Sequence, residues 1–238
     1  MAESAATRRD FLRRTSIGSA ALVMPVLAVA QEKAAPDKDK LKGDEGISPA
    51  EDLMREHGVL NRILLIYDEH LRMINAKRSF DGSVLVSAAD IIRHFVEEYH
   101  EKLEEDFLFP RFRKANKLVS LVDTLQTQHK AGRELTAKVR ELAATATLKY
   151  VSTDSEKLAD ALRSFLRMYR PHEAREDTVL FPAFRTIVSA HEYDALGDDF
   201  EKKEDELFGD EGFFKVVDQV SQLEKKMGIY DLAQFTPK

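Results

Sequence analysis

The sequence predicts an all-α protein: an antiparallel up-down four-helix bundle, built as a duplicated helical hairpin, with a short C-terminal helical extension. Three observations carry this. Apolar residues recur at spacings of 3 and 4 through four long stretches, the mark of amphipathic helices. The segment HEKLEEDFLFPRF at 100–112 returns as HEAREDTVLFPAF at 172–184, with seven of thirteen positions identical. Only 10 Gly and 7 Pro occur in 238 residues, so little interrupts long helices.

Residues 1–30 read as an export signal and not as fold. Thr7-Arg8-Arg9-Asp10-Phe11-Leu12-Arg13 resembles a twin-arginine motif. An apolar run from Ile17 to Val29 follows, too short for a comfortable membrane span, and Ala28-Val29-Ala30 is a small-residue cleavage pattern. The expectation is export of the folded protein by the twin-arginine machinery, cleavage after Ala30, a periplasmic location, and no stable membrane insertion afterwards. Cleavage would move the net charge from −6 to −8. Residues 31–47 are polar, charged and aperiodic, a flexible linker.

The bundle is expected over 48–190. Ser48-Pro49-Ala50-Glu51 supplies an N-cap, a proline at the first helical position and a capping-box glutamate. The first helix buries Leu53, His57, Leu60, Leu64, Tyr67, Leu71 and Ile74, and Asp81-Gly82 breaks it. The second carries Ile92, Val96, His100, Leu103 and Phe107 on one face. The third carries Leu118, Leu121, Val122, Leu125, His129, Gly132 and Val139. Thr153-Asp154-Ser155-Glu156 opens the fourth, with Leu158, Leu162, Phe165, Tyr169, His172, Glu176 and Val179. Short connections imply antiparallel neighbours. Residues 191–238 read as one or two further short helices, punctuated by Gly197, Gly209, Gly212 and Gly228, with no motif of their own.

Composition narrows the chemistry. A net charge of −6, with no basic block beyond the first 15 residues, argues against a nucleic-acid partner. The absence of cysteine removes disulfides, thiolate zinc sites, iron–sulfur clusters and thiol nucleophiles. Any metal must be held by His, Asp, Glu or backbone oxygen.

One histidine sits inside each of the four apolar stripes, where a buried imidazole costs stability unless it is bonded. His57 to His129 and His100 to His172 are both 72 residues, the interval of the repeated segment. Two hairpins related by a twofold axis would bring all four to one level of the core. Glu104 and Glu176 each follow a histidine by four residues, so each even-numbered helix offers an imidazole and a carboxylate on one face. The i+4 slots of the odd-numbered helices hold Asn61 and Arg133. Four nitrogen and two carboxylate ligands exceed one tetrahedral zinc and divide as two His per metal with two carboxylates to bridge, which two iron ions fit best. A ferritin-like reading needs four carboxylates and two Glu-x-x-His motifs. Here Glu97-x-x-His100 stands alone, with Met54, Gln126 and Tyr169 at the other places, which leaves Glu97 as a helix-surface or supporting residue.

These residues resemble a hemerythrin-type HHE domain. The matching pieces are Glu56-His57; Tyr99-His100-Glu101 with Glu104 and Leu108-Phe109-Pro110; Gln128-His129 with Gly132-Arg133; and His172 with Glu176 and Leu180-Phe181-Pro182. The resemblance covers about residues 50–190. It implies a four-helix bundle around a non-haem di-iron centre, Fe2+/Fe3+ with an oxo or hydroxo bridge, whose ligands carry over to His57, His100, Glu104, His129, His172 and Glu176. Oxygen-carrying hemerythrins place five histidines on their irons. This chain supplies four in register, as in the branch linked to iron-centre repair and nitrosative stress, yet it lacks the Cys-containing segment of many repair proteins.

Tyr67 and Tyr169 on the core stripes read first as packing with a satisfied hydroxyl, and as supporting candidates that would donate to bound oxygen or carry a radical. Glu101 and Glu173 beside the ligand histidines are candidate acceptors for neighbouring imidazoles. His70, His94 and His191 lie off the ligand face and read as surface or structural. The Leu-Phe-Pro that ends each repeat reads as packing and helix punctuation. Pro171, where the repeat mate is Tyr99, should kink the fourth helix, re-aim His172, or mark a restart. The expected partner is a small diatomic, O2 or NO, or a peroxide. The alternatives are an iron-donating or repair protein, a peroxide-consuming di-iron enzyme and a metal-storage bundle. No dedicated acid, base or nucleophile stands apart from the ligands, so any catalysis would be the metal's.

Overall fold

The computed structural model describes residues 47–145 and 153–237, and the described residues are helical without strands. The twin-arginine segment and the linker up to residue 46 lie outside them. Helix α1 spans Pro49–Asn75; Ser48 is its N-cap and accepts a hydrogen bond from Glu51 N at 3.3 Å, as the capping signal predicts. Helix α2 runs over residues 82–114, beginning behind Asp81, whose carboxylate accepts from Ser83 N at 2.9 Å. Helix α3 is Val119–Thr145 and α4 runs over residues 153–184. Leu118, expected on the buried stripe of the third helix, instead has φ +52° just before α3 and is only partly buried.

Among these four, α1 packs on α2 and α4, and α3 packs on α2 and α4. The seam is aliphatic and aromatic: Leu53, Leu60, Leu64, Ile92, Val96, Leu103, Val122, Leu125, Leu158, Leu162 and Phe165 are all buried. Burial of that stripe, worth roughly 25 cal/mol per Å² of apolar surface, is what holds the helices together.

Two of the four helices are not uniformly α, and two of the three departures are repeat mates. In α2 the segments Ile92–His100 and Glu104–Leu108 are π-helical. In α4 the segment Glu176–Leu180 is π-helical, 72 residues after its mate. Phe109 N–H reaches back five residues to the Glu104 carbonyl, and Phe181 N–H to that of Glu176. Pro110 and Pro182 follow directly. Each removes an N–H and crowds the carbonyl four residues before it, and widening the turn relieves both. The proline of Leu-Phe-Pro is therefore punctuation that stretches the helix beginning at each repeat's Glu. Pro171 does not restart the helix: α4 is α-helical from Thr153 to Arg175 straight through it. The fourth helix neither restarts there nor loses His172 from the core.

The C-terminal stretch forms two full helices, α5 (Ala190–Phe208) and α6 (Gly212–Met227), then a 3-10 turn at Leu232–Phe235. They pack on α1, and α6 also on α2. Arg62 on α1 donates to Glu224 (2.9 Å through Nε) and Ser221 (2.8 Å) on α6. Glu204 on α5 is fully buried; its Oε1 accepts from Phe213 N at 2.7 Å and its Oε2 from Tyr99 Oη at 3.5 Å. Gly212 fits here because a Cβ would stand 2.5 Å from Phe208 Cβ and 3.1 Å from Glu204 Oε1. Glu204→Ala takes the acceptor from Phe213 N–H and should cost about 1–3 kcal/mol. A lower urea midpoint at unchanged m value would show it, and an unchanged midpoint would refute it.

Candidate metal centre

The structure brings His57, His100, Glu104, His129, His172 and Glu176 together, one histidine from each of α1 to α4. All six are buried, and Glu104, His129 and Glu176 have no exposed surface at all. The histidines stand in two pairs. His57 and His100 have ring centroids 4.7 Å apart, and His129 and His172 5.1 Å. The glutamates lie between the pairs. Glu176 Oε2 is 3.4 Å from His57 Nε2, while its Oε1 is 3.1 Å from His172 Nε2 and 3.9 Å from His129 Nε2. Glu104 Oε2 is 3.3 Å from His129 Nε2 and 4.0 Å from His100 Nε2.

Six of the inward atoms have no hydrogen bond. His100 Nε2, His129 Nε2 and all four carboxylate oxygens of Glu104 and Glu176 are buried with no hydrogen-bond partner. Buried polar atoms are normally satisfied, so a concentration of exceptions facing one another fits a cation between them. His129, His172 and Glu176 alone present three ligand atoms within 4.8 Å of one another.

Each outward nitrogen is held by an acceptor. His57 Nδ1 lies 2.7 Å from Asp177, His100 Nδ1 2.7 Å from Glu56, His129 Nδ1 3.1 Å from Glu105, and His172 Nδ1 2.9 Å from Gln128 Oε1. Carboxylate and amide oxygens cannot donate, so these Nδ1 atoms carry a hydrogen, and each imidazole, once neutral, presents its Nε2 lone pair inward. The pattern obeys the repeat: Glu56 and Gln128 are 72 apart, as are Glu105 and Asp177. Phe109 stacks on His129 at 5.4 Å and Phe181 on His57 at 5.5 Å. The phenylalanine of Leu-Phe-Pro thus clamps the imidazole of a different helix.

Electrostatics follows from burial and proximity. Burial opposes a charge on His57, but Asp177 and Glu176 hold it up to about 10. His129 is held well above its usual range against burial by Glu104 and Glu105. His100 goes the other way, pushed well below by burial and the charge of His57. Burial and the adjacent Glu176 push the Glu104 carboxyl up to about 7. Burial works against Glu176 as well, yet His172 and His57 hold it well below the carboxylate range. Protons on His57 and His129, one in each pair, supply the positive charge that the buried carboxylates need.

The other predicted residues have partners of their own. Tyr169 Oη donates to Glu101 Oε1 at 2.9 Å, and Arg133 meets Glu101 at 2.9 Å and Glu105 at 2.7 Å. Glu173 accepts from Asn61 Nδ2 at 3.0 Å. Glu101 and Glu173 are therefore not the acceptors for the imidazole Nδ1 atoms; Glu56, Glu105, Asp177 and Gln128 are. Tyr67 is buried against Phe165, and its hydroxyl has no hydrogen-bond partner among the described residues. Glu97 is buried and not a surface residue; burial raises its carboxyl to about 7. His70 is structural, with Nδ1 donating to the Ile66 carbonyl at 2.8 Å, and His94 is exposed beside Glu98.

Gly132 shows how closely the site is fitted. A Cβ there would stand 2.0 Å from Tyr169 Oη and 2.8 Å from Cζ. Tyr169 is wedged between Phe165 and His172, at 4.3 and 5.6 Å, and cannot retreat. Gly132→Ala should cost about 1–3 kcal/mol by overpacking. Adding Tyr169→Phe, which removes the clashing oxygen, should restore part of that loss in a double-mutant cycle; strict additivity would disprove the contact.

Comparison with known proteins agrees with this geometry. The sequence model of the hemerythrin HHE cation binding domain matches residues 48–184 and again 120–234. The second match begins 72 residues after the first, the interval of the internal repeat, and takes in α5 and α6. An uncharacterized protein of Mycobacterium bovis is 47% identical over 191 residues, covering 80% of this chain and 74% of that protein. Uncharacterized proteins of two Mycobacterium tuberculosis strains match to the same extent. No solved structure matches.

Proposed function

We propose, for a chain that belongs to the hemerythrin HHE cation-binding domain family, an exported non-haem di-iron protein that binds O2, NO or a related small oxidant. Its use would be protection against oxidative or nitrosative stress. The four long helices would run up and down as an antiparallel bundle. His57 and His100 would hold one ion, His129 and His172 the other, and Glu104 and Glu176 would bridge them. The observation that carries the reading is the convergence of four inward Nε2 atoms on two buried carboxylates, with every Nδ1 already held. Nitrogen and oxygen ligands without sulfur suit iron among the available metals.

Two iron ions so held would supply reversible electron exchange with a diatomic or peroxide. The chain's own residues do the rest. Asp177, Glu56, Glu105 and Gln128 fix each imidazole in the tautomer a metal needs. Phe109 and Phe181 cover His129 and His57, which keeps bulk water off the imidazoles and lowers the local dielectric. The twin-arginine segment would direct the folded protein to the periplasm, with the signal removed after Ala30.

Mature protein should hold about two iron ions per chain. Its oxidised form should show a charge-transfer absorption that His100→Ala abolishes. One zinc per chain, or no metal, sinks the reading. Mixing the reduced protein with O2 and separately with H2O2 then distinguishes carriage, a reversible colour change, from catalytic loss of peroxide.

A further inference from the structure

The two halves of the centre have the same inward ligands but differently charged surroundings. Behind His57 and His100 stand Asp177 and Glu56, both at 2.7 Å. Behind His129 and His172 stand Glu105 at 3.1 Å and the neutral amide of Gln128 at 2.9 Å. The duplication makes the comparison position by position. Glu56 is mated with Gln128, Asn61 with Arg133, Asp177 with Glu105, and Glu173 with Glu101. Around the first pair the four sum to a formal charge of −3, around the second to −1.

The difference is expressed in contacts as well as in residue types. Glu105 is shared: besides His129 it takes Arg133 at 2.7 Å and Lys102 at 3.0 Å. At the equivalent place Asn61, uncharged, donates to Glu173 at 3.0 Å and leaves Asp177 to His57. Charge-assisted hydrogen bonds are shorter and about twice as strong as neutral ones. A carboxylate behind Nδ1–H draws that proton toward itself and makes the opposite nitrogen a stronger base.

From these contacts, and resting on the metal-binding reading above, we propose that the two metal positions are unequal and that the His57–His100 position is the tighter. Glu56 and Asp177 act on it as positioning residues that raise the basicity of its two imidazoles. Gln128 and Arg133 make the His129–His172 position the weaker one.

Anaerobic calorimetric titration of the metal-free full chain with Fe2+ tests this. Two phases should appear, with dissociation constants about 10–100-fold apart, the range that such outer partners command. In the wild type His172→Ala should remove the weaker phase. Asp177→Asn, whose side chain is 34% exposed and tolerates exchange, should weaken the tighter phase alone. In the wild type, two equal phases, a single phase holding both ions, or loss of the tighter phase in His172→Ala would overturn the inequality. The swap Glu56→Gln with Gln128→Glu brings both charge sums to −2 and should bring the two dissociation constants together; a gap as wide as the wild type's would also overturn it. Absence of any Fe2+ binding would instead overturn the metal-centre reading on which it stands.

Discussion

Glu176→Gln should empty the centre of both metals. Glu176 is the side chain that reaches three of the four histidines: His57 through one oxygen and His129 and His172 through the other. An amide of the same size presents one weak acceptor and one N–H, so one of the two contacts turns from attraction into repulsion of a cation. Loss of a residue merely hydrogen-bonded to a ligand costs about 10–100-fold in affinity. Loss of a ligand facing both positions should cost at least that at each, and iron should fall from about two per chain to well under one. Helical circular dichroism should stay intact, since the volume and the surrounding core are unchanged, and this separates loss of metal from loss of fold. A Glu176→Gln protein that retains both ions would remove Glu176 from the centre.

The centre was legible in sequence for a specific reason. Its inward residues obey two local rules, i to i+4 on one helix face and a 72-residue repeat, and both survive being written in one dimension. His57, His100, Glu104, His129, His172 and Glu176 all follow from them. The residues that hold the imidazoles do not. Glu56 and Gln128 precede a histidine by one position, and Glu105 and Asp177 follow a glutamate by one. On its own helix each points about 100° away from the centre. Each reaches an Nδ1 on a different helix, which only packing reveals. The repeat did carry a signal for them, since both pairs recur at 72 residues, but Glu101 and Glu173 recur at the same interval and share it.

Helix identity was equally readable and helix geometry was not. A wheel drawn at 3.6 residues per turn has no place for π segments, yet three of them lie in α2 and α4, two beginning at Glu104 and Glu176 themselves. Prolines offered the clue in an ambiguous form. Pro110 and Pro182 widen the turns before them, whereas Pro171 sits in unbroken α-helix. The chain could be read as glycine-punctuated after residue 190, but nothing in a one-dimensional pattern distinguishes Glu204, buried between α5, α6 and Tyr99, from the exposed acids around it.

Chelation should lower the melting temperature, and the gap between loaded and metal-free protein should widen as pH rises. Metal present at about 1,000 times its dissociation constant adds about 4 kcal/mol to the folded state. For a domain of this size that is about 8–16 °C. The pH dependence comes from protons that the metal must displace. In the metal-free protein His57 titrates at about 10, above its ordinary 6.5. Its proton therefore stabilises the metal-free fold fully below pH 6.5, and that contribution is lost as pH rises through 10. Glu104 acts in the same sense at lower pH. Its folded value of about 7 exceeds the ordinary 4.5, so the metal-free fold weakens as pH rises between them. In the loaded protein both groups have already given up their protons, and neither loss applies. The difference in melting temperature should thus grow steadily from pH 5 to pH 9, by up to a factor of ten in metal affinity per displaced proton per pH unit. Scanning both forms across that range decides it. A gap that stays constant or narrows would mean that His57 and Glu104 keep their protons when metal binds, and so do not face it.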